Sequence, residues 1–254
     1  MQADDTGVAA PIGGEPRGWC DIVGRGRLGQ ALSAALRAAG VPVRGPLGRG
    51  ADAAGASIAL LCVPDRTIGE AARCITPGVL VGHTSASVAL APLEPHERFS
   101  MHPLLSVIGT DTAFAGATCA IDGSTPRAME TARGLALRLG MLPRVIPREQ
   151  RALYHAAASM AANYLVTLEA SAERLAQLVG LDRAALEPLV RGAVTQWAMV
   201  GGHDALTGPV ARGDVETVAR QRAAVADAAP DMLPFWDSLV EATRALAATP
   251  QVAR

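Results

Sequence analysis

The sequence predicts two parts, an α/β half with a mostly parallel sheet and then an all-α half. From residue 19 to about 146, short apolar runs alternate with amphipathic runs, a pattern typical of parallel strands joined by crossover helices. After residue 147 every segment has a helical pattern. We therefore expect a sheet domain over 18–147 and a helical domain over 148–254, preceded by a tail over 1–17.

The predicted elements follow one another in a regular order. Seven apolar runs are predicted to be strands, at 19–24, 41–44, 57–63, 79–84, 98–102, 118–122 and 143–146. Between them, helices are predicted at 28–39, 67–73 and 126–139. The first 17 residues are acidic and rich in glycine and proline, so we expect them to be disordered. Glycine and proline pairs divide the second half into several helices.

The composition excludes several functions. The chain has no lysine, so all 23 basic residues are arginine, and a Schiff-base lysine or a P-loop lysine is ruled out. A net charge of −1 with scattered arginines argues against a surface for nucleic acid or membranes. The four cysteines lack metal-site spacing, the first 17 residues lack the apolar core of a signal peptide, and no later apolar stretch is long enough for a membrane span. We expect a cytoplasmic protein without a metal.

A glycine-rich loop follows the first predicted strand and opens the first helix. Its residues, Gly24, Arg25, Gly26, Arg27, Leu28 and Gly29, match the pattern G-x-G-x-x-G. In a dinucleotide-binding Rossmann domain, the first glycine makes a tight turn, the second admits the pyrophosphate and the third packs helix on strand. The alternative is a glycine-rich turn that binds no ligand.

The end of the second predicted strand indicates which cofactor would bind. An NAD site carries an acidic residue there, which binds the ribose 2′-hydroxyl. Here that position is Arg44, and Arg49 follows. Since a guanidinium suits a 2′-phosphate, we predict NADP, with Arg25 as a second cation. The alternative for Arg44 is a solvent-exposed arginine at the strand end.

Further candidates follow the other strands, because ligands bind at the carboxyl edge of open α/β sheets. Val63 and Pro64 are predicted to turn the chain across the cofactor, and Asp65 to cap the next helix. Thr84 and Ser85 are expected to touch ribose or nicotinamide. After the fifth strand comes His102, for which a catalytic role and a structural role are equally open.

The first long helix of the second half carries a polar stripe. Residues 152–168 hold no formal charge, so we expect this stretch to be buried. His155, Ser159 and Asn163 are spaced at i, i+4 and i+8 and should share one face. The opposite face should be core, formed by Leu153, Met160, Tyr164 and Leu168. The stripe could be a structural hydrogen-bond network or the lining of a substrate pocket.

Five segments resemble a known family. They are VPD at 63–65, HTSAS at 83–87, MHPL at 101–104, YHAAASMAANYLV at 154–166 and LTGPVARGD at 206–214. They resemble Rossmann-like proteins that carry the C-terminal domain of unknown function 2520, over about residues 18 to 245. This group is similar to ketopantoate reductases, pyrroline-5-carboxylate reductases and 6-phosphogluconate dehydrogenase. The resemblance implies an NADP-dependent oxidoreductase that dimerises through its helical half.

The resemblance also implies roles for the polar stripe. Ketopantoate reductases place Lys, Asn and Asn at this spacing, with the lysine as general acid. Here His155 stands in place of the lysine and is the best replacement as proton donor. Ser159 and Asn163 would then orient the substrate.

The segment at 206–214 supplies two further candidates. Thr207 and Arg212 lie in a loop between helices, and we expect them to bind an acid group of the substrate, whereas Asp214 is expected to cap the next helix.

The predicted reaction passes a hydride between NADP and a carbonyl or imine carbon of a small anionic substrate. Two alternatives remain open. One is a non-catalytic nucleotide sensor or scaffold, and the other is an NADP oxidoreductase that uses another hydride carrier, such as a deazaflavin.

Overall fold

A computed structural model describes residues 18–249, so the tail predicted for 1–17 lies outside the described residues. The first part is a seven-stranded sheet with the order β2-β1-β3-β4-β5-β6-β7. All neighbours are parallel except β5 and β6. The strands are β1 Trp19–Val23, β2 Val43–Leu47, β3 Ala56–Leu61, β4 Leu80–His83, β5 Arg98–Pro103, β6 Thr118–Gly123 and β7 Leu142–Val145.

Three helices connect strands of the sheet, and helices make up most of the described chain after it. The first three helices are α1 Arg27–Ala38, α2 Ile68–Cys74 and α3 Pro126–Arg138. Those after the sheet are α4 Arg151–Ser159, α5 Leu165–Gln177, α6 Arg183–Val200, α7 Gly202–Ala205, α8 Val215–Ala228 and α9 Leu233–Ala248. The predicted fold class, a mostly parallel α/β domain followed by helices, is confirmed.

Alternation along the strands gives the sheet two buried faces. On one face, residues such as Ile22, Leu60 and Phe99 pack with α1 and α3 in the larger core cluster. On the other face, Leu61 and Val81 belong to a second cluster with residues of α2. A sheet covered on both faces is expected for parallel strands with crossover helices.

The second strand differs from its prediction in a way that matters for ligand binding. It was expected at 41–44, with Arg44 at its carboxyl end, but β2 runs from Val43 to Leu47. Arg44 therefore lies near the start of the strand, in register with Asp21 of β1. The residues at the carboxyl end of β2 are instead Leu47, Gly48 and Arg49.

The described chain forms two compact units, which divide after Ala162. The change from mixed to purely helical structure comes earlier, after β7 ends at Val145. The predicted boundary at residues 147 and 148 follows this change of secondary structure and stays a prediction. In the described part of the chain, no helix is both long and apolar enough to cross a membrane.

The expectation that residues 152–168 are buried is wrong for the single chain. Leu153 is 74% exposed and Met160 is 65% exposed, and Tyr164 is also exposed. Of α4, only Arg151 is fully buried. A helix without charged residues is expected to be buried, but the sequence does not say what buries it. Other parts of the same chain or a second molecule could pack against it.

Candidate functional site

The glycine loop between β1 and α1 is built so that two of its positions require glycine. Gly24 has φ +130°, and a Cβ there would lie 2.1 Å from the carbonyl oxygen of Cys62. A Cβ on Gly29 would lie 2.0 Å from the carbonyl oxygen of Gly24. These contacts confirm the tight turn predicted at Gly24 and the close helix packing predicted at Gly29.

The middle glycine has a different environment. Gly26 is the N-cap of α1 and has extended backbone, with no side-chain cap. A Cβ on Gly26 would meet no atom within 4 Å, so the space in front of the helix is open. The next two residues, Arg27 and Leu28, begin the helix. The first turn therefore presents unpaired backbone N–H groups to an open cradle, which fits the pyrophosphate of a dinucleotide.

A cavity of about 270 Å³ lies beside this loop, at the carboxyl ends of β1, β2 and β3. Three arginines line it, namely Arg25, Arg49 and Arg66, and Glu70 is the carboxylate among its lining residues. Val63 and Pro64, which were predicted to face the cofactor, line it as well. The guanidinium carbon of Arg25 would be 3.4 Å from a Cβ on Gly48, so it lies against the loop after β2.

Arg44 does not belong to this cavity lining. Its Nε and Nη2 atoms donate to the two carboxylate oxygens of Asp21 at 2.6 and 2.7 Å, and Nη2 also donates to the carbonyl of Ala54 at 3.0 Å. Asp21 is only 1% exposed, so it needs this partner. The structure thus corrects the placement of Arg44, because the strand pairing turns its side chain onto Asp21.

The segment after β4 forms a local hydrogen-bond network. The Ser85 hydroxyl donates to Oδ2 of Asp65 at 2.9 Å, and Ser87 donates to the same oxygen at 3.0 Å. The hydroxyl of Thr84 lies 3.5 Å from the carbonyl of Leu61. The capping role expected for Asp65 is wrong, since the carboxylate joins the turn after β3 to the segment after β4. The contacts predicted between Thr84, Ser85 and a cofactor stay predictions.

A polar cluster covers the end of β5, within the first compact unit. Nδ1 of His102 lies 2.8 Å from the hydroxyl oxygen of Tyr154, and the two rings meet edge to face with centroids 5.6 Å apart. One turn earlier on α4, Nη2 of Arg151 donates to the Ser100 hydroxyl at 2.9 Å and lies 3.7 Å from Oδ2 of Asp122. The first turn of α4 is therefore attached to β5 at two points.

Burial shifts the protonation of this cluster. Burial lowers the pKa of His102 to about 4, and the neighbouring His155 and Arg151 add to the shift while Asp65 opposes it. Burial also raises the pKa of Tyr154 to about 12, with Arg151 opposing. The imidazole and the phenol are therefore both neutral throughout the physiological range.

The predicted polar stripe lies beside this cluster but is not a closed network. His155 and Asn163 are exposed, and Ser159 is half-buried. Among residues 18–249, no hydrogen bond joins the side chains of these three residues. A π-helical turn, Met160–Tyr164, follows Ser159. Such a turn holds one residue more than an α-helical turn, so Asn163 is rotated from the face that uniform α-helix spacing predicts.

The loop predicted to bind an acid group lies in the second compact unit. The carboxylate of Asp214 accepts a hydrogen bond from the backbone N–H of Thr217 at 3.0 Å, which confirms its role as N-cap of α8. Thr207 and Arg212 are exposed. Their contact with a substrate stays a prediction.

Arg151 and Tyr154 are the residues of this cluster to which the sequence analysis gave no role. A signal was present, because they are three residues apart on a helix while Ser100 and His102 are two apart on a strand. Both spacings place side chains on one face. Nothing in the sequence, however, indicated that this helix face meets this strand.

Among the described residues, no group of histidine, cysteine and carboxylate side chains could hold a metal ion.

The sequence places the chain in a family. The pattern of the family described as domain of unknown function (DUF2520) matches residues 117–243, which is half of the chain. The chain belongs to the DUF2520 family. The resemblance proposed from its motifs is thus confirmed. A comparison of this DUF2520 chain with curated protein sequences finds no match.

Solved structures share the fold of the DUF2520 chain. A protein from Bacteroides fragilis, provisionally assigned as an NADP oxidoreductase, has TM-score 0.77 and 19% identity, over 90% of this chain and 98% of that chain. A protein from Thermotoga maritima has TM-score 0.74 and 22% identity, with the same coverage. Pyrroline carboxylate reductase from Plasmodium falciparum, with NADP bound, has TM-score 0.58 and 14% identity, over 92% and 100%. At these identities the likeness establishes the fold.

Proposed function

We propose that this DUF2520 protein is an NADP-dependent oxidoreductase acting on a carbonyl or imine carbon of a small anionic substrate. The observation that carries the proposal is the cavity lined by Arg25 and Arg49 beside the open cradle at Gly26. A neighbour of the same fold binds NADP, and its named substrate, a pyrroline carboxylate, is an anionic imine.

The residues present fit NADP better than NAD. The helix N-terminus behind Gly26 would hold the pyrophosphate. At the carboxyl end of β2, the chain offers Gly48 and Arg49 in place of a carboxylate for the ribose hydroxyls. Arg25 and Arg49 would therefore bind the 2′-phosphate, a role that the sequence assigned to Arg44. When bound, NADPH supplies the hydride.

The predicted residues on the substrate side keep their roles as proposals. His102 and His155 place proton-donating groups near the end of β5, the edge on which parallel sheets bind ligands. Ser159 and Asn163 would orient the substrate, and Thr84 and Ser85 would lie at the nicotinamide. Thr207 and Arg212 would bind the acid group of the substrate.

Cofactor titration tests the proposal directly. We expect the protein to bind NADPH more tightly than NADH by tryptophan fluorescence or calorimetry. Arg49→Ala should weaken NADPH binding by about 10- to 100-fold, since a hydrogen bond to a charged group contributes about 1.5 to 3 kcal/mol. NADH binding should change little. Arg138→Ala removes an exposed arginine of α3 and is the matched control. Absence of binding to both cofactors would refute the proposal.

A substrate screen then tests the reaction. Small 2-oxo acids and cyclic imino acids are incubated with NADPH, and the loss of its absorbance is followed. We expect turnover with at least one member of these two classes, and none with uncharged analogues at the same concentration. Binding of NADPH without turnover on either class would favour a nucleotide sensor.

We also propose that the protein is a homodimer through its helical part. Helix α6 has no buried residue, although it carries large apolar side chains. Leu189 is 72% exposed and Trp197 is 61% exposed. Apolar surface of this kind is typical of an interface, and a second copy of the chain brings a surface of the same character.

A further inference from the structure

We propose that His102 and Tyr154 form the proton-donating pair of this enzyme, in which Nε2–H of His102 protonates the substrate and the Tyr154 hydroxyl restores the imidazole proton through Nδ1. The inference rests on the proposed reductase function and names His102, instead of His155, as the group that takes the place of a lysine acid. It adds Tyr154, to which the sequence analysis gave no role, to the catalytic machinery.

The geometry of the pair sets the tautomer of His102. The 2.8 Å contact joins Nδ1 to the phenol oxygen. A phenol is a good donor and a weak acceptor, whereas an unprotonated imidazole nitrogen is a strong acceptor, so Tyr154 donates to Nδ1. The neutral ring then carries its proton on Nε2. Within residues 18–249, Nε2 has no hydrogen-bond partner, which leaves this N–H available to a ligand.

The position of the pair is suitable for a substrate. His102 is the last but one residue of β5, and β5 runs parallel to β4. Its side chain therefore lies at the carboxyl edge, the same edge from which the glycine loop extends beyond β1. The ring is half-buried, so it is held by the protein and still accessible.

Arg151 acts as a positioning residue for the pair. It is 5% exposed, and it holds the first turn of α4 to Ser100 and near Asp122. Because Arg151 and Tyr154 are three residues apart on α4, they face β5 together, and Ser100 and His102 are two apart on the strand. The guanidinium thus fixes the helix face that presents the phenol.

The proton balance of the reduction is complete with these groups. A hydride adds to the carbonyl or imine carbon, and the electron pair of the double bond moves to the oxygen or nitrogen. That atom takes the proton of Nε2–H, while Nδ1 takes the proton of Tyr154, so the imidazole stays neutral. The resulting phenolate lies near the Arg151 guanidinium and regains a proton from water.

The pair should work over a wide pH range. The charged or titratable groups that act on it are His155, Arg151, Asp65 and Cys119. With the pKa of His102 at about 4 and that of Tyr154 at about 12, one protonation state persists between these limits. We expect kcat to be independent of pH between about 6 and 9. A donor that must be a charged imidazolium would give a rate that falls as pH rises through about 6 to 7.

The test compares two matched tyrosine variants. The chain has only two tyrosines, and Tyr154→Phe removes the paired hydroxyl, whereas Tyr164→Phe removes an exposed one. We expect Tyr154→Phe to lower kcat by about 100- to 10,000-fold, as is typical for loss of general acid catalysis. Tyr164→Phe should retain the wild-type kcat. NADPH affinity should stay within about twofold in both, because neither hydroxyl lines the cofactor cavity.

A second readout does not depend on turnover. Nitrogen-15 NMR of the His102 ring should show Nδ1 as acceptor and Nε2 protonated in the wild type, and a mixture of tautomers in Tyr154→Phe. A protonated Nδ1 in the wild type would overturn the inference, as would a Tyr154→Phe enzyme of normal kcat. If neither NADPH nor NADH binds, the proposed function itself fails, and the inference falls with it.

Discussion

Two glycines in the loop after β1 differ in what a larger side chain would disturb. A Cβ on Gly29 would collide with backbone, whereas a Cβ on Gly26 would occupy open space. The backbone of Gly26 also has φ −72°, which alanine adopts without strain. Packing of the protein itself therefore requires glycine at position 29, whereas only the proposed ligand would require it at position 26.

The contrast gives a pair of matched variants. Gly29→Ala should destabilise the protein by about 1 to 3 kcal/mol or more, because helix and strand must separate. Gly26→Ala should keep the wild-type melting temperature and weaken NADPH binding by at least about tenfold, because the methyl group fills the cradle. Thermal unfolding and cofactor titration measure both. A stable Gly26→Ala variant with normal NADPH affinity would show that the cradle does not hold the cofactor.

Buried histidines at the carboxyl edge should control acid stability. Burial lowers the pKa of both His83 and His102 to about 4, so the folded protein keeps them neutral where the unfolded chain protonates them. A lowered folded pKa means that the unfolded state binds more protons, so stability falls as pH falls from about 6.5 towards 4. Each histidine should contribute a slope of about 1.4 kcal/mol per pH unit in this window.

Urea unfolding at several pH values measures this slope. His83→Gln removes one of the two titrating groups, so it should lower the slope by about 1.4 kcal/mol per pH unit. A stability that stays constant between pH 7 and 5 would show that these histidines remain hydrated in the folded protein.

At the scale of elements, the ion pair between Arg44 and Asp21 joins β1 to β2. Removing Arg44 leaves a carboxylate that is 1% exposed without its partner. We expect Arg44→Ala to lower the melting temperature by several degrees while NADPH affinity stays the same. Asp21→Asn combined with Arg44→Ala should cost less than the sum of the two single changes. Selective loss of NADPH binding, with normal stability, would instead support the role that the sequence indicated for Arg44.

At the scale of the whole molecule, we expect the exposed apolar surface of α6 to be buried against a second copy of the chain. Trp197→Glu places a charge in the proposed interface, so we expect a dimer in the wild type and a monomer in the variant. Thr195→Glu adds the same charge two residues away and controls for charge alone. Analytical ultracentrifugation at several concentrations distinguishes the species. A wild-type monomer at about 100 µM would contradict the proposed dimer, since stable interfaces bind far more tightly than that.

The sequence alone predicted the elements of the sheet and the glycine loop. Apolar runs, glycine spacing and helix caps act over a few residues, so they can be recognised in the chain without its fold. Gly24 and Gly29 behave as predicted for this reason, and so does the cap at Asp214. The family membership of residues 117–243 was also accessible from the motifs.

Only the tertiary structure decided which side chains meet. A shift in the bounds of β2 placed Arg44 on Asp21 and left Arg49 at the cavity. The meeting of α4 with β5 brought Tyr154 to His102 across more than fifty residues of sequence. Strand register and helix docking depend on the packing of the whole core. Patterns within a few residues of sequence do not determine which distant elements pack together. The sequence thus determined the fold and the glycine-rich loop, and the packing decided which side chains contact one another.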